Sequence, residues 1–437
     1  MHASRTLGRC LTPKQWSRQV FTGWKVVATS ASLWALQSML WMQGFGNIAV
    51  ELRSQFGWSK TLFSVAFGVT RAGSAFMAPA QGAALSKWGT KLVMRFGSIF
   101  VLGGFVGLAL IQTRLHFFIA FSVAAFGMAL AGFLTITSAL VPWFERKRAR
   151  ALSIQTMGFA IGGFAGPLLV FSFEWIGWRQ SLVLAGAILT IAIYAASSIL
   201  GRSREETGEP VDGVPAEVAA RTPRAEGVSD DHFTARQALR TRSFWMVSMG
   251  HSSALVVVSA VIAHIALYLV EDRGFSARNA ALIAGAIPVF QFIGTALGGY
   301  LGDRMNKRVI IVIAMFAHGV GLLVVTWFDT SIAIGVFVVL HGLAWGSRGP
   351  QMQAIRADYF GTTHFATIMG WSSIIVMVGT VAGPLLAGIL ADSTGDYRLG
   401  FTIIAIVAFV GNIFWFLASP PTPINAEQKR TGVLLDN

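Results

Sequence analysis

The feature that most constrains this chain is a series of apolar runs, each about 20 residues long, that are separated by short polar breaks. An α-helix of that length rises roughly 30 Å, which is the thickness of the hydrocarbon core of a bilayer. Charged residues make up only 12% of the chain, about half of their share in soluble domains. The chain therefore lacks the polar surface to face water on all sides, and we expect an all-α membrane protein.

The apolar runs predict twelve membrane spans, at 24–45, 60–84, 92–112, 116–141, 150–173, 180–200, 244–270, 279–301, 308–327, 331–354, 366–391 and 398–418. Cytoplasmic loops of membrane proteins are enriched in Lys and Arg. When both termini are placed in the cytoplasm, 25 of the 34 Lys and Arg residues lie on that side. Because the positive charge follows the loops, it predicts the orientation of the spans and not a nucleic-acid-binding face.

Polar segments divide the chain into five predicted parts: a cytoplasmic N-terminal tail (1–22), an N-terminal six-helix bundle (23–200), a disordered cytoplasmic linker (201–243), a C-terminal six-helix bundle (244–419) and a cytoplasmic C-terminal tail (420–437). In the linker 15 of 43 residues are charged and three are proline, a composition typical of disorder. The last part of the linker, 233–245, regains apolar spacing and predicts a short helix that lies on the membrane surface.

The two halves of the chain are similar to each other at a constant offset of 217 residues. The sequence GGFAGPLL at 162–169 recurs as GTVAGPLL at 379–386. The same offset carries GWS at 57–59 onto GFS at 274–276, and the loop at 86–87 onto 303–304. Three separated matches at one offset indicate two copies of one six-helix unit that enter the membrane from the same side.

The loops that follow the second and eighth spans carry a signature. Residues 299–308 read GYLGDRMNKR, with a glycine, an acid, an arginine and a basic pair, and 82–91 keep the glycines and lysines but have Ser86 in place of the acid. With this signature the chain resembles the major facilitator superfamily over about residues 23–419. The resemblance implies twelve transmembrane helices as two parallel six-helix repeats around a central cavity.

A finer resemblance is to the branch that contains oxalate–formate antiporters and monocarboxylate transporters. It is carried by GWS at 57–59, WFERKR at 143–148, GWR at 177–179, ADYFG at 357–361 and GPLLAG at 383–388. The resemblance implies transport of small carboxylates. Antiporters of this branch have basic residues in their eighth and eleventh helices, whereas 279–301 and 366–391 contain none.

The signature loops also predict a gate. An acid in such a loop can pair with an arginine at a neighbouring helix end and hold one side of the molecule closed. We expect Asp303 to pair with Arg356 as this latch, and we expect the side of Ser86 to be held more weakly. The other expected gating residues are Arg304, Lys307, Arg308 and Lys87. The alternative is that these charges only set the topology.

Two arginines lie within predicted spans, where a charge costs roughly 2.5–3.5 kcal/mol on insertion scales. Arg71 is about halfway along the second span. Its guanidinium either clamps a carboxylate in a water-filled cavity or caps backbone carbonyls between helices. Arg348 precedes Gly349 and Pro350 in the tenth span, and it is either a second anion contact or a side chain that extends to the cytoplasmic interface.

Other polar and aromatic residues within the spans complete the candidate site. The seventh and tenth helices line the cavity in the family that the chain resembles, so His264 and His341 are candidates to bind substrate or carry a coupling proton; packing is the alternative for each, and His318 is expected to be structural. Further candidate wall residues, for which packing is also the alternative, are Trp34, Gln37 and Trp41 on one face of the first helix, and Gln291, Trp345, Trp371 and Ser372. No metal-ligand spacing is present.

These features predict a secondary active transporter of a small organic anion, a mono- or dicarboxylate, that works by alternating access as a symporter or an exchanger. The sequence has no phosphate-binding loop and no recurring nucleophile–base pair, so neither a cofactor nor enzymatic activity is expected. The expected partners are the anion, a proton or counter-anion and the lipid of a bacterial-type inner membrane, with the protein as a monomer. The alternatives are a proton-coupled exporter of apolar drugs and a transporter-like membrane sensor.

Overall fold

The computed structural model describes residues 21–42, 44–58, 60–165, 167–214 and 232–422, and all regular secondary structure in these ranges is helical. In chain order the spans are formed by Thr22–Gln37, a π-helix Ser38–Met42 and Gly44–Phe56; Lys60–Ala109; Arg114–Leu130, Phe133–Leu140 and Val141–Trp143; Arg148–Phe164 and Pro167–Ile176; Trp178–Leu200; Arg242–Glu271; Ala277–Gly302; Lys307–Trp327; Ser331–Phe360; Phe365–Thr394; and Arg398–Leu417.

Nine helical segments of the described ranges are long and apolar enough to cross a membrane. The difference from the twelve predicted spans has a physical cause in each case. The second and third spans form one helical run, Lys60–Ala109, which turns back at Gly89, where φ is 75° and ψ is 161°. The first and fifth spans are each divided into shorter helices. The architecture is therefore twelve transmembrane helices as two parallel six-helix repeats around a central cavity.

Polar side chains mark where several spans begin. Thr113, Thr241, Ser276 and Thr330 each accept a hydrogen bond from the backbone N–H three residues further on. Such caps satisfy N–H groups that the first turn of a helix leaves without a carbonyl partner. The short loops of the sequence thus carry the signals that separate one span from the next.

The two halves are joined at one end of the molecule, which we call the linker end. Thr22, at the start of the first span, donates from its backbone N–H and its hydroxyl to the linker residue Glu209, at 2.9 and 2.5 Å. After the last span, the carbonyl of Ser419 accepts from Ser243, at the end of the linker, at 2.6 Å. Both described ends of the chain therefore lie on the same side as the linker, as an even number of spans requires.

The first part of the linker differs from the expected disordered segment. Arg204–Thr207 form a helical turn and Val211–Gly213 a 3₁₀ turn. The carboxylate of Asp212 is buried and accepts hydrogen bonds from the backbone N–H groups of residues 145–147, at 3.3, 2.9 and 3.2 Å. A short helix, Ala235–Arg240, lies within the segment that predicted one, and residues 215–231 of the linker lie outside the described ranges.

Candidate functional site

The fourth span is broken at Ala131 and Gly132, between its helices Arg114–Leu130 and Phe133–Leu140. A break leaves carbonyl groups without their usual N–H partners, and in a membrane they must find others. Gln81 donates to the carbonyl of Ala129 at 2.7 Å, Thr135 to that of Leu130 at 2.6 Å, and Gln37 to that of Ala131 at 2.9 Å. Side chains of the first, second and fourth spans therefore converge on one broken helix.

A cavity of about 290 Å³ lies beside this break. Its wall residues on the second span lie between residues 70 and 81, well inside the run from Lys60 to Gly89, which places the cavity at mid-depth. The wall consists of Trp34, Gln37, Trp41, Met42, Phe45, Thr70, Ser74, Ala75, Ala78, Gln81, Phe121, Ala125, Met128, Ala129, Gly132, Phe133, Leu134 and Ser373. Among these described wall residues only Ser373 comes from the second half, where it belongs to the eleventh span.

Three of the predicted wall residues, Trp34, Gln37 and Trp41, line this cavity, whereas Gln291, Trp345 and Trp371 do not. The helix position of Arg71 adjoins the wall residue Thr70, but the side chain of Arg71 lies outside what the structure describes. Sequence reasoning did not single out Gln81 or Thr135. The signal for Gln81 was a polar side chain in an apolar span, and the signal for the break was Gly132 in the middle of the fourth.

The predicted candidate Arg348 is buried inside the second half. Its Nε donates to Nε2 of His318 at 3.1 Å, and Nδ1 of His318 lies 3.0 Å from Nδ1 of His341. An arginine has no acceptor, so His318 carries its proton on Nδ1 and donates it to His341. The Nε2 of His341 is buried, with no hydrogen-bond partner among the described residues. Arg348 neither reaches the surface nor lines the cavity, and the cluster ties the ninth span to the tenth.

His264 connects the seventh span with the eleventh. Its Nε2 lies 3.0 Å from the carbonyl of Pro384, and its Nδ1 lies 3.1 Å from the hydroxyl of Tyr397. Because a carbonyl only accepts, Nε2 is the donor and Nδ1 accepts from Tyr397. Both ring nitrogens of His264 are thus engaged within the second half, away from the residues that line the mid-depth cavity.

The predicted pair of Asp303 with Arg356 does not form. Arg356 is buried within the second half, where its guanidinium donates to Ser372 at 2.8 Å and to the carbonyl of Met352 at 2.6 Å. Asp303 pairs instead with Arg150 of the first half: the carboxylate lies 3.4 Å from Nε and accepts from the backbone N–H at 3.2 Å. The prediction chose the wrong arginine, and the pair that forms joins the two halves.

A second ion-pair cluster crosses between the halves nearby. Asp358, at the linker end of the tenth span, pairs with Arg148 at the start of the fifth. Lys307, at the start of the ninth span, lies 2.9 Å from the other oxygen of Asp358. Both Arg148 and Asp358 are buried. Together with Arg150 and Asp303, these side chains hold the linker end closed.

The 217-residue repeat relates the two sides of this closure. Gly82 and Gly299 are equivalent positions, and each meets the opposite half directly: a Cβ at Gly82 would lie 2.5 Å from the carbonyl oxygen of Ala366, and one at Gly299 would lie 2.7 Å from Cβ of Ser153. Glycine is required at both because no side chain fits. The hydroxyl groups of Ser86 and Thr367 lie 3.3 Å apart. The repeat relates Ser86 to Asp303 and Arg150 to Thr367, so this contact is the counterpart of the contact between Asp303 and Arg150.

Burial raises the pKa of Asp303 from its ordinary 3.8 to about 6, against the opposing effect of Arg150 and Lys307.

The other predicted gating residues contact their own half: Arg304 lies over the ring of Tyr300, and Arg308 donates to the carbonyl of Ala418 at 3.2 Å. Lys87 is exposed.

A second cavity, of about 530 Å³, lies at the end of the second half opposite the linker end. Charged residues line it, and Arg273 pairs with Asp329 there at 3.0 Å. No group of three or more His, Cys, Asp or Glu side chains in the described ranges has the geometry to hold a metal ion.

Known proteins with similar sequences agree with this architecture. Human monocarboxylate transporter 11 is 25% identical over 414 residues, which cover 90% of this chain and 82% of that protein. The gallate transporter of Pseudomonas putida is 25% identical over 391 residues, 83% of this chain and 85% of that protein. Among solved structures, the human organic anion transporter MFSD10 (TETRAN) superposes with a TM-score of 0.66 at 14% identity, covering 93% of this chain and 100% of that one.

The sequence model of the Major Facilitator Superfamily matches residues 28–347 and 280–434, which together cover most of the chain. Twelve spans in two parallel six-helix repeats are the architecture of this family. The chain is a multi-pass membrane protein and belongs to the major facilitator superfamily.

Proposed function

We propose that this protein is a secondary active transporter of a small organic anion, a carboxylate, that works by alternating access. The observation that carries the proposal is a mid-depth cavity beside a broken helix, in a molecule whose two halves are latched together at one end. Transporters bind their substrates near the middle of the membrane at such interrupted helices. Relatives named for monocarboxylates and for gallate, which is also a carboxylate, support the class of substrate.

We further propose that the linker end faces the cytoplasm of a bacterial-type inner membrane, because the positive charge of the loops is concentrated there. The present conformation is then closed to the cytoplasm. Transport requires the bundle 23–200 to rock against 244–419, so that the ion pairs of Asp303 and Asp358 break while the opposite end closes. The protein acts as a monomer in this account, since one chain supplies both halves.

Arg71 is the proposed anion contact. Its position on the second span is next to the wall residue Thr70, and a guanidinium binds a carboxylate with two parallel hydrogen bonds. Arg71→Lys keeps the charge but loses the paired geometry, and Arg71→Ala loses both. The proposal therefore predicts that uptake falls in the order native, Lys variant, Ala variant.

Uptake and counterflow in proteoliposomes test the function. Purified protein is reconstituted, and a panel of radiolabelled carboxylates (lactate, benzoate, 4-hydroxybenzoate, glucuronate) is offered from outside. Exchange predicts uptake that requires unlabelled anion inside, whereas proton symport predicts uptake that a pH gradient drives without it. If no member of the panel enters above protein-free vesicles under either condition, the proposal of a carboxylate transporter is wrong.

A further inference from the structure

The mid-depth cavity contains a buried hydrogen-bond acceptor without a donor. The amide of Gln37 is fully buried, and its Nε2 donates to the carbonyl of Ala131, which fixes which end of the amide is nitrogen. Its Oε1 has no hydrogen-bond partner in the part of the chain that the structure describes. Buried acceptors nearly always have a donor in native proteins. Because Gln37 lines the cavity, a bound molecule is the natural source of that donor.

The hydroxyl groups of the wall and the amide of Gln81 use their own donors internally. The hydroxyl of Thr70 donates to the carbonyl of Ala66, that of Ser74 to the carbonyl of Thr70, and that of Ser373 to the carbonyl of Met369, at 2.8–3.0 Å. The Nε2 of Gln81 has two acceptors, Ala129 and Thr135. The oxygens of these hydroxyl groups can still accept, so the wall adds acceptors to Oε1 of Gln37, which suits a hydroxyl group of a bound molecule.

The remaining wall is apolar and rich in aromatic rings. Trp34 and Phe133 lie with their ring centroids 5.5 Å apart, and Trp41 is stacked on Phe121 at 4.8 Å. Phe45 packs against the same Phe121 at 4.9 Å. None of the described wall residues is charged. At about 290 Å³ the cavity is at the small end of ligand pockets, roughly 300–1,000 Å³, so it takes a compact body such as one ring.

We propose that the cavity binds a monocarboxylate with an aromatic ring and a hydroxyl substituent on that ring, the hydroxyl donating to Oε1 of Gln37 and the ring lying between the aromatic walls. This inference rests on the proposed transport of carboxylates and names their class. A sugar acid fits less well, because most of its hydroxyl groups would lie against the apolar, aromatic part of the wall. An aliphatic acid such as lactate leaves the aromatic walls without contact.

Binding to purified native protein in nanodiscs tests the class, by titration calorimetry with 4-hydroxybenzoate, 4-methoxybenzoate, benzoate, lactate and glucuronate. We expect 4-hydroxybenzoate to bind at least tenfold more tightly than benzoate or the methyl ether, which lacks the donor, and lactate and glucuronate to bind more weakly still. Gln37→Met should reduce the tenfold preference to about onefold. Gln180→Met, the same change at an exposed glutamine outside the cavity, should keep it.

Three results would overturn the inference. Equal binding of 4-hydroxybenzoate and its methyl ether to the native protein would mean that no donor is recognised, whether or not Gln37→Met folds. A preference that survives in folded Gln37→Met would place the hydroxyl elsewhere. Preferred binding and uptake of lactate or glucuronate would leave carboxylate transport intact and refute the aromatic class, whereas absence of uptake of every anion would refute the proposed function itself.

Discussion

The hydroxyl groups of Ser86 and Thr367 lie 3.3 Å apart, at the positions that the 217-residue repeat relates to Asp303 and Arg150. One side of the closed linker end is thus held by an ion pair between the halves, and the equivalent side by two neutral hydroxyl groups. Ionised partners make the stronger hydrogen bonds. The two contacts lie at equivalent positions of the repeat, but one is between charged side chains and the other between neutral ones.

Installing the second charged latch should stabilise the closed linker end. In Ser86→Asp/Thr367→Arg the new pair copies Asp303 and Arg150, and an exposed pair of this kind contributes about 0.2–1 kcal/mol. We expect the closed-to-open ratio to rise up to fivefold, measured by electron–electron distances between spin labels on either side of the linker end. Ser86→Asp alone is the control. A double variant that behaves as the single one would show that the repeat-related positions do not pair.

A methyl group at Gly82 should have the opposite effect. Its Cβ would lie 2.5 Å from the carbonyl oxygen of Ala366, so Gly82→Ala forces the halves apart at the linker end, and overpacking of this kind costs roughly 1–3 kcal/mol. The same spin-label distances should lengthen. Gly103→Ala is the matched control, because no atom lies within 4 Å of its added Cβ. Unchanged distances in Gly82→Ala would contradict the close contact.

Closure should also depend on pH through Asp303. Its pKa is raised from 3.8 to about 6 by burial in the closed conformation, and opening returns it towards the ordinary value as the carboxyl meets water. In the closed conformation burial costs the ionised carboxylate more than its pairing with Arg150 returns, so this conformation binds the proton more tightly and linkage favours it as the pH falls through 6. Between pH 7 and pH 5 the closed-to-open ratio should rise about tenfold. Asp303→Asn should abolish this dependence, and an unaltered pH profile in that variant would assign it to another group.

The linker should stabilise the first half by capping the segment before the fifth span. The carboxylate of Asp212 accepts from the N–H groups of residues 145–147, and hydrogen bonds to a charged group contribute about 1.5–3 kcal/mol. Asp212→Ala should lower the thermal unfolding temperature of the purified protein. Glu205→Ala removes a carboxylate that is 69% exposed in the same linker and should have little effect. Equal melting of both variants would mean that the cap does not stabilise the protein.

The twelve spans and their repeat could be predicted because apolar length and loop charge are local properties of the chain. The break at Ala131 and Gly132 could not, since it depends on Gln37 and Gln81 from two other spans reaching the freed carbonyls. The partner of Asp303 was mistaken for a related reason. Arg356 is nearer along the chain, but the packing of the fifth span against the eighth brings Arg150 to it.

Candidate residues within the spans show the same limit. Trp34, Gln37 and Trp41 share a helix face, and periodicity was enough to place them together on the cavity. Arg348 and His341 have the same polar character in sequence, but they are buried because His318 of the ninth span lies between them. Which polar residue faces a cavity and which one ties two helices together is decided by contacts between spans.

The central claim, that transport requires the linker end to open, is tested most directly by cross-linking it. Arg150→Cys/Asp303→Cys in a Cys10→Ser background is joined with a short bis-maleimide, and counterflow of the carboxylate with the highest uptake in the panel is measured in proteoliposomes. Arg95→Cys/Ser198→Cys, a pair within the first half, is the control. The account predicts that the first cross-link abolishes counterflow and the second does not. Counterflow that continues at the native rate with the halves joined at 150 and 303 would contradict it.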